Sequence, residues 1–425
     1  MSRKNRGFKP FQHCLIVKKC VKTRPRAAKL VFWTGFDGSD ASYTDPARRS
    51  FLIPPAYPVP PSDSSALNIL IACGGTGGHL FPGIAVAEAL GAKGHKAKLL
   101  ISQKKVDADA SAKYGHLEFE TLPAVAKPPT LSPRMLPFLW KTWQSIQRCK
   151  AILKESNTDA VIGMGGFTSL PPVFAGHRLG LKTFVHDSNA RPGRANVLTS
   201  RWCSKVFLGF EAATSFFTKS PTEITGTPVR PEMLDLPSRE DSAKHFGLNP
   251  AKPIVLVTGG SQGAKRLNDI CAEAAAKLPE GAQMLHVAGN FDYERVAASA
   301  SGEHHKVLGF CDRMAEAYGC ADLIVTRSGA SSLTEISAAG LPSILVPYPY
   351  AADDHQARNA EVFVSAGAAR MAREDQLTGE GMASMITAIL EDASDRQAMV
   401  EAARNLAVPN AAERVCEAIE QTLAS

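Results

Sequence analysis

His79 ends the run Cys73-Gly-Gly-Thr-Gly-Gly-His79, and the residues around it are suited to holding a phosphorylated ligand. Ile69 to Ala72 form a short apolar run that reads as a buried parallel strand. Gly74, Gly75, Gly77 and Gly78 then let backbone amides approach a ligand closely. A helix follows, with Pro82 expected in its first turn. The positive end of that helix and its free N–H groups would face whatever sits over the loop. His79 is the one titratable side chain at the loop's edge. Two familiar phosphate motifs do not fit. Counting Gly-x-Gly-x-x-Gly from Gly75 puts Leu80 at the last position, and the next apolar run, Leu99-Leu100-Ile101, leads into Ser102 and Gln103 with no acidic residue. A second glycine-rich loop, Gly259 to Arg266, lacks the Gly-Lys-Ser/Thr spacing of ATP-hydrolysing proteins. Neither a nicotinamide cofactor nor nucleoside-triphosphate hydrolysis is expected.

The elements that position these residues repeat. Strand, glycine loop and helix occur at Ile69–Leu90 and again at Ile254–Leu278. Each half later carries a second such unit, from Asp159 through Gly163-Met-Gly-Gly166 and from Ala321 through Arg327-Ser-Gly329. Further strands follow at Leu181–His186 and Ser343–Pro347, and they lead into the polar loops His186-Asp187-Ser188-Asn189 and Asp353-Asp354-His355-Gln356. Strands alternating with helices predict an α/β fold with two doubly wound parallel sheets, whose loop edges face each other across a cleft. The halves are expected to span 67–228 and 229–425, changing over near Gly226-Thr-Pro-Val-Arg230, with a last helix at Ala411–Leu423 that packs back on one of them.

A chain of 425 residues, 44% hydrophobic and 21% charged, is long enough for such cores and ordinary in composition. No apolar stretch is long enough to span a membrane. The nine cysteines include no Cys-x-x-Cys pair and read as reduced thiols. Residues 1–66 hold 12 Lys/Arg against 4 Asp/Glu, so the whole net charge of +7 resides in this proline-containing leader. The leader is expected to be disordered or a mis-assigned start, and the nearly neutral body argues against nucleic acid as a partner.

Gly74–Gly83, Gly259–Lys265 and Ser328–Leu341, in this order, resemble the MurG family of GT-B glycosyltransferases over residues 67–425. The resemblance implies two facing Rossmann-like domains. It also implies metal-independent, inverting transfer of N-acetylglucosamine from UDP-GlcNAc to lipid I, giving lipid II of peptidoglycan. The same resemblance assigns residues. His79 is the candidate general base on the acceptor 4-hydroxyl, with Asp187 as its rival. Thr76, Gly77 and Gly78 border the donor, and Ser261 in the loop Gly260–Gly263 serves its diphosphate, a role that a helix N-cap at Ser261 would not exclude. Ala330, Ser331, Ser332, Leu333 and Thr334 lead to Glu335, placed on the ribose hydroxyls, although Ser332-x-x-Glu335 also fits a capping box. Arg230 is expected near the uracil, which the Cys311 backbone reads, while Gln356 and Asn189 hold the sugar from opposite halves. The chain departs from the family's usual His-Glu-Gln-Asn at His186–Asn189, and from its Gln-Gln pair at His355-Gln356.

Lys127–Lys150, with Leu136, Leu139, Trp140 and Trp143 among basic residues, reads either as an interfacial helix or as a core helix. The resemblance implies a peripheral protein on the cytoplasmic side of the inner membrane, with other cell-wall synthesis proteins as further partners. The loop Gly163–Ser169 is a candidate for the acceptor diphosphate. Three alternatives share the architecture: a GT-B transferase acting on another lipid, a UDP-sugar 2-epimerase, and a non-catalytic nucleotide-sugar-binding module.

Overall fold

A computed structural model of the chain describes residues 66–123, 133, 135–260 and 263–425. The basic leader up to residue 65, Arg134 and the candidate Ser261 lie outside the described residues.

The first lobe is a seven-stranded parallel sheet: β1 Asn68–Ala72, β2 Lys96–Ser102, β3 Glu118–Leu122, β4 Ala160–Gly163, β5 Lys182–Asp187, β6 Lys205–Leu208 and β7 Thr222–Ile224. The spatial order is β3-β2-β1-β4-β5-β6-β7. The second lobe has six strands: β8 Ile254–Thr258, β9 Gln283–Val287, β10 His305–Leu308, β11 Leu323–Thr326, β12 Ser343–Leu345 and β13 Ala369–Met371. Their order, β10-β9-β8-β11-β12-β13, repeats the first lobe's. The chain reverses direction across each sheet between β1 and β4, and between β8 and β11. Loops diverge from the carboxyl ends at such points and leave a crevice.

Strand alternation explains the layering. Along β1, Ile69 and Ile71 join one core cluster with Leu99, Ile101 and Ile162, while Leu70 joins Leu100 and Val161 in another. Along β8, Ile254 and Leu256 face one cluster, and Val255 and Val257 face the other. Strands covered on both faces need near-continuous apolar sequence, which Ile-Val-Leu-Val supplies.

The first helix differs from the sequence expectation. It runs Gly77–Ala92, so Gly77, Gly78 and His79 are helical and Pro82 is its sixth residue rather than part of its first turn. The terminal helix Ala411–Ala424 lies on the first lobe. There Val415, Cys416 and Ile419 enter the core cluster of β1, and Glu420 bonds Lys93 and His95 at 2.8 Å each.

Candidate active site

β1 delivers the chain to the glycine loop, and two neighbouring elements hold that loop in place. Asp107, fully buried, accepts from Gly75 N at 2.9 Å and from Ser102 N at 2.8 Å. Thr168 Oγ1 donates to Gly74 O at 2.7 Å. His79 Nδ1 lies 3.2 Å from Thr76 Oγ1. Its ring rests on the loop after β4: a Cβ at Gly165 would sit 2.8 Å from His79 Cδ2, and Gly165 has φ +120°, so only glycine fits there. Burial pushes the His79 imidazole down to about 4, with Asp107 pulling the other way and Lys104 adding to the depression. His79 is therefore neutral at physiological pH, the state a proton acceptor requires.

Asp187 ends β5 almost fully buried. Its Oδ1 accepts from Asn189 N at 2.9 Å and Asn189 Nδ2 at 3.3 Å; its Oδ2 accepts from Gly193 N at 3.0 Å and Asn196 Nδ2 at 2.8 Å. Burial raises its pKa against the pull of these bonds. Both oxygens are thus engaged in shaping the loop that presents Asn189.

The two lobes meet around these loops. An interior proline has no N–H to give the carbonyl four residues earlier. For Pro82 that carbonyl belongs to Gly78, and it accepts instead from Ser331 Oγ of the second lobe at 3.1 Å. Ser331 lies in the first turn of the helix Ala330–Ala339, whose N-cap is Gly329. Ser332 is therefore inside the helix, and the capping-box reading of Ser332 and Glu335 fails. Leu333 turns into the second lobe's core, so its backbone is what remains to face a ligand. Thr334 Oγ1 bonds back to Ala330 O at 2.9 Å.

Glu335 is partly buried and pairs with Arg230 at 2.9 Å, with Tyr318 OH 3.4 Å from its other oxygen. Burial raises its pKa, and the guanidinium opposes the rise. Arg230 is not a surface linker residue. It is 9% exposed and stacks over the Phe81 ring of the first lobe at 4.7 Å. The candidates for uracil and ribose therefore touch each other directly. Cys311, buried, follows β10, and Gln356 Oε1 accepts from Tyr348 N at 2.9 Å. The helix after the second glycine loop, Lys265–Ala275, has Ala264 as its N-cap.

Asn359 was missed as a site residue, although it lies three positions after Gln356 and so on the same helix face. It is fully buried on the helix His355–Ser365. It accepts from Ala190 N at 2.8 Å and donates to Asn189 Oδ1 and Ser328 O at 3.1 Å each. Asp107 and Phe81 were also missed: an aspartate in a helix and a phenylalanine beside a proline carry no pattern of their own. Among the described residues, no group of three or more His, Cys, Asp or Glu is placed to hold a metal.

The glycosyltransferase family 28 N-terminal domain matches residues 69–208, and the C-terminal domain of the same family matches residues 254–415. A Geobacter sulfurreducens protein named UDP-N-acetylglucosamine--N-acetylmuramyl-(pentapeptide) pyrophosphoryl-undecaprenol N-acetylglucosamine transferase is 38% identical over 365 residues, covering 83% of this chain and 97% of its own length. A Nostoc protein of the same name is 35% identical, covering 85% of this chain and 99% of the relative. The crystal structure of Acinetobacter baumannii MurG superposes with TM-score 0.66 at 28% identity, over 84% of this chain and all of that one. A putative UDP-N-acetylglucosamine 2-epimerase from Listeria monocytogenes reaches TM-score 0.65 over 84% of this chain and 96% of its own, but at 14% identity. Backbone shape alone does not separate the two activities; the sequence relationship does.

Proposed function

The chain belongs to glycosyltransferase family 28, among the N-acetylglucosaminyltransferases named for N-acetylmuramyl-(pentapeptide) pyrophosphoryl-undecaprenol, and from this we propose how its cleft works. It transfers N-acetylglucosamine from UDP-GlcNAc to the 4-hydroxyl of N-acetylmuramoyl-pentapeptide on undecaprenyl pyrophosphate, converting lipid I to lipid II. Residues 67–228 take the acceptor and 229–425 the donor. Neutral His79 accepts the hydroxyl proton as the oxygen attacks the sugar's anomeric carbon. The bond to the diphosphate breaks on the opposite face, so the centre inverts.

UDP leaves with negative charge, which the loop Gly259–Gly263 and the start of the helix Lys265–Ala275 receive without a metal. Lys265 and Arg266 open that helix, where its dipole disfavours cations, and an anion bound there would relieve the repulsion. Glu335 exchanges its Arg230 contact for the ribose hydroxyls, freeing the guanidinium toward uracil. Asn189 and Gln356 hold the sugar. Asp187 shapes the loop that carries Asn189.

One contact carries this proposal: Ser331 Oγ on Gly78 O. It joins the start of the candidate base's helix to the start of the donor helix, so base and donor groove share one cleft. The test is to incubate the protein with labelled UDP-GlcNAc and a lipid I analogue. A labelled disaccharide glycolipid is expected. Conversion of UDP-GlcNAc without acceptor would make the chain an epimerase, and UDP binding without product would make it a binding module.

We further infer a peripheral membrane position on the cytoplasmic leaflet. No described helix is long and apolar enough to cross a membrane. The helix Met135–Glu155 exposes Leu136, Leu139, Trp140 and Trp143 at helical spacing in its first half, and buries Cys149, Ile152 and Leu153 in its second. The buried second half fits the core reading, and the exposed first half supports the interfacial one. Exposed Phe167 meets Phe138 edge-on at 6.5 Å, and Phe167 directly follows the glycines that support His79. An apolar stripe continuous with the loop beside the base would present a lipid-borne acceptor to it.

A further inference from the structure

We propose that Asn359 is a positioning residue that sets the sugar-facing carboxamide of Asn189 only when the two lobes are closed on each other. The inference rests on the sugar-binding role given to Asn189 above.

Asn189 and Asn359 sit on opposite lobes, 170 positions apart in the chain. Asn359 makes three hydrogen bonds and uses both of its donors. Its oxygen accepts from Ala190 N, and its two N–H groups donate to Asn189 Oδ1 and Ser328 O, at 2.8, 3.1 and 3.1 Å. Ser328 follows β11 and leads into the donor helix, so one amide ties the acceptor-lobe loop to the donor-lobe strand end. Asn189 is constrained from its other end too, since its Nδ2 donates to Asp187 Oδ1 at 3.3 Å. Asp187 therefore fixes Asn189 within its own lobe, and Asn359 fixes it against the other. With the lobes apart, Asn359 would lose two partners and Asn189 would lose the bond that orients its oxygen.

A buried carboxamide is a demanding linker. Separation leaves polar groups unpaired unless water replaces every partner. Closure and the orientation of Asn189 are thus one event, and the sugar meets a set Asn189 only in the closed cleft. UDP without sugar would not sense this coupling, because its proposed contacts lie on the donor lobe and at Arg230.

The experiment is a double-mutant cycle on Asn189→Ala and Asn359→Ala. It reads UDP affinity by calorimetry, kcat and KM for UDP-GlcNAc, and the melting temperature. Asn359→Ala should leave UDP affinity within about twofold and lower kcat/KM for UDP-GlcNAc by roughly 10- to 100-fold. The double variant should be no worse than Asn189→Ala alone, because the two act as a unit. Additive losses, or UDP affinity falling together with kcat/KM, would reduce Asn359 to a structural residue and overturn the inference. If Asn189→Ala is fully active, the sugar-binding role of Asn189 itself fails. If Asn189→Ala is impaired while Asn359→Ala is normal, only the clamp fails. The isosteric Asn359→Asp, which keeps the volume but removes both donors, enters the same cycle should the alanine variant not fold.

Discussion

His79 and Asp187 compete for the role of base, and their environments separate them. A side chain that must take a proton needs an unprotonated atom free of stronger partners. His79 is held neutral by burial, with one ring nitrogen on Thr76 and the other side of the ring against Gly165. Asp187 has both oxygens engaged in its own loop. His79→Ala should lower turnover by roughly 100- to 10,000-fold with little change in melting temperature. Asp187→Ala should lower both together, because the loop's backbone amides lose their acceptor. Steady-state kinetics and thermal melts on the two variants distinguish these outcomes. The pH profile adds a sign. A base is active when deprotonated, so activity falls as pH drops through the pKa of the free enzyme. With His79 at about 4, kcat/KM should stay flat from about pH 8 to about pH 5.5. A limb at the ordinary imidazole value, near pH 6.5, would show that burial does not control the group.

Pro82 shows why an element can depart from its sequence pattern. A proline usually marks the first turn of a helix, and the glycine run before it looks like loop. The helix nevertheless starts at Gly77, because the one carbonyl that proline leaves unpaired is satisfied from another lobe, which no local pattern can reveal. This makes a coupled prediction. Ser331→Ala should cost about 1–3 kcal/mol by leaving Gly78 O without its partner. In a Pro82→Ala background the cost should shrink, since an alanine in place of the proline donates its own N–H to that carbonyl; denaturant melts of the four proteins test it. The strands and the order of elements were legible because apolar runs and glycine loops are local signals. Asn359, Phe81 and the Arg230–Glu335 pair were not, since each gains its meaning from a partner about a hundred or more residues away. The helix Met135–Glu155 was legible only as an ambiguity, because a helix buried along half its length averages two patterns. Leu139→Glu with Trp140→Glu should abolish binding to anionic vesicles while leaving melting temperature and turnover on a soluble acceptor unchanged. Retained vesicle binding would remove this stripe as the membrane contact.

At the scale of the whole molecule, the chain's order does not match its lobes. The terminal helix follows the second sheet but completes the first lobe's core. The second lobe is therefore tethered at both ends, by the Gly226–Arg230 segment and by the chain leading to Ala411, and closure across Asn359 and Ser331 acts on an already restrained pair. Buried imidazoles make this assembly sensitive to acid. His186, His286 and His305 are buried, and burial pushes their imidazoles down to about 4, about 3 and about 4. His186 Nε2 sits 2.9 Å from Gly226 O at the lobe junction. His286 lies 3.2 Å from His305 and 3.1 Å from Asn268 Oδ1, on the helix that follows the donor loop. Each of the three is neutral when folded and titrates near 6.5 when unfolded. Above that value neither state binds the proton and stability is complete. Below it the unfolded chain takes protons that the folded chain refuses, so stability falls as pH drops, at up to about 1.4 kcal/mol per pH unit for each imidazole. The melting temperature should therefore hold level from about pH 8.5 to about 7 and decline steeply between about 6.5 and 5. A curve that stays level down to about pH 5 would mean that these rings are hydrated, and that the junction and the donor loop rest on something other than buried neutral imidazoles.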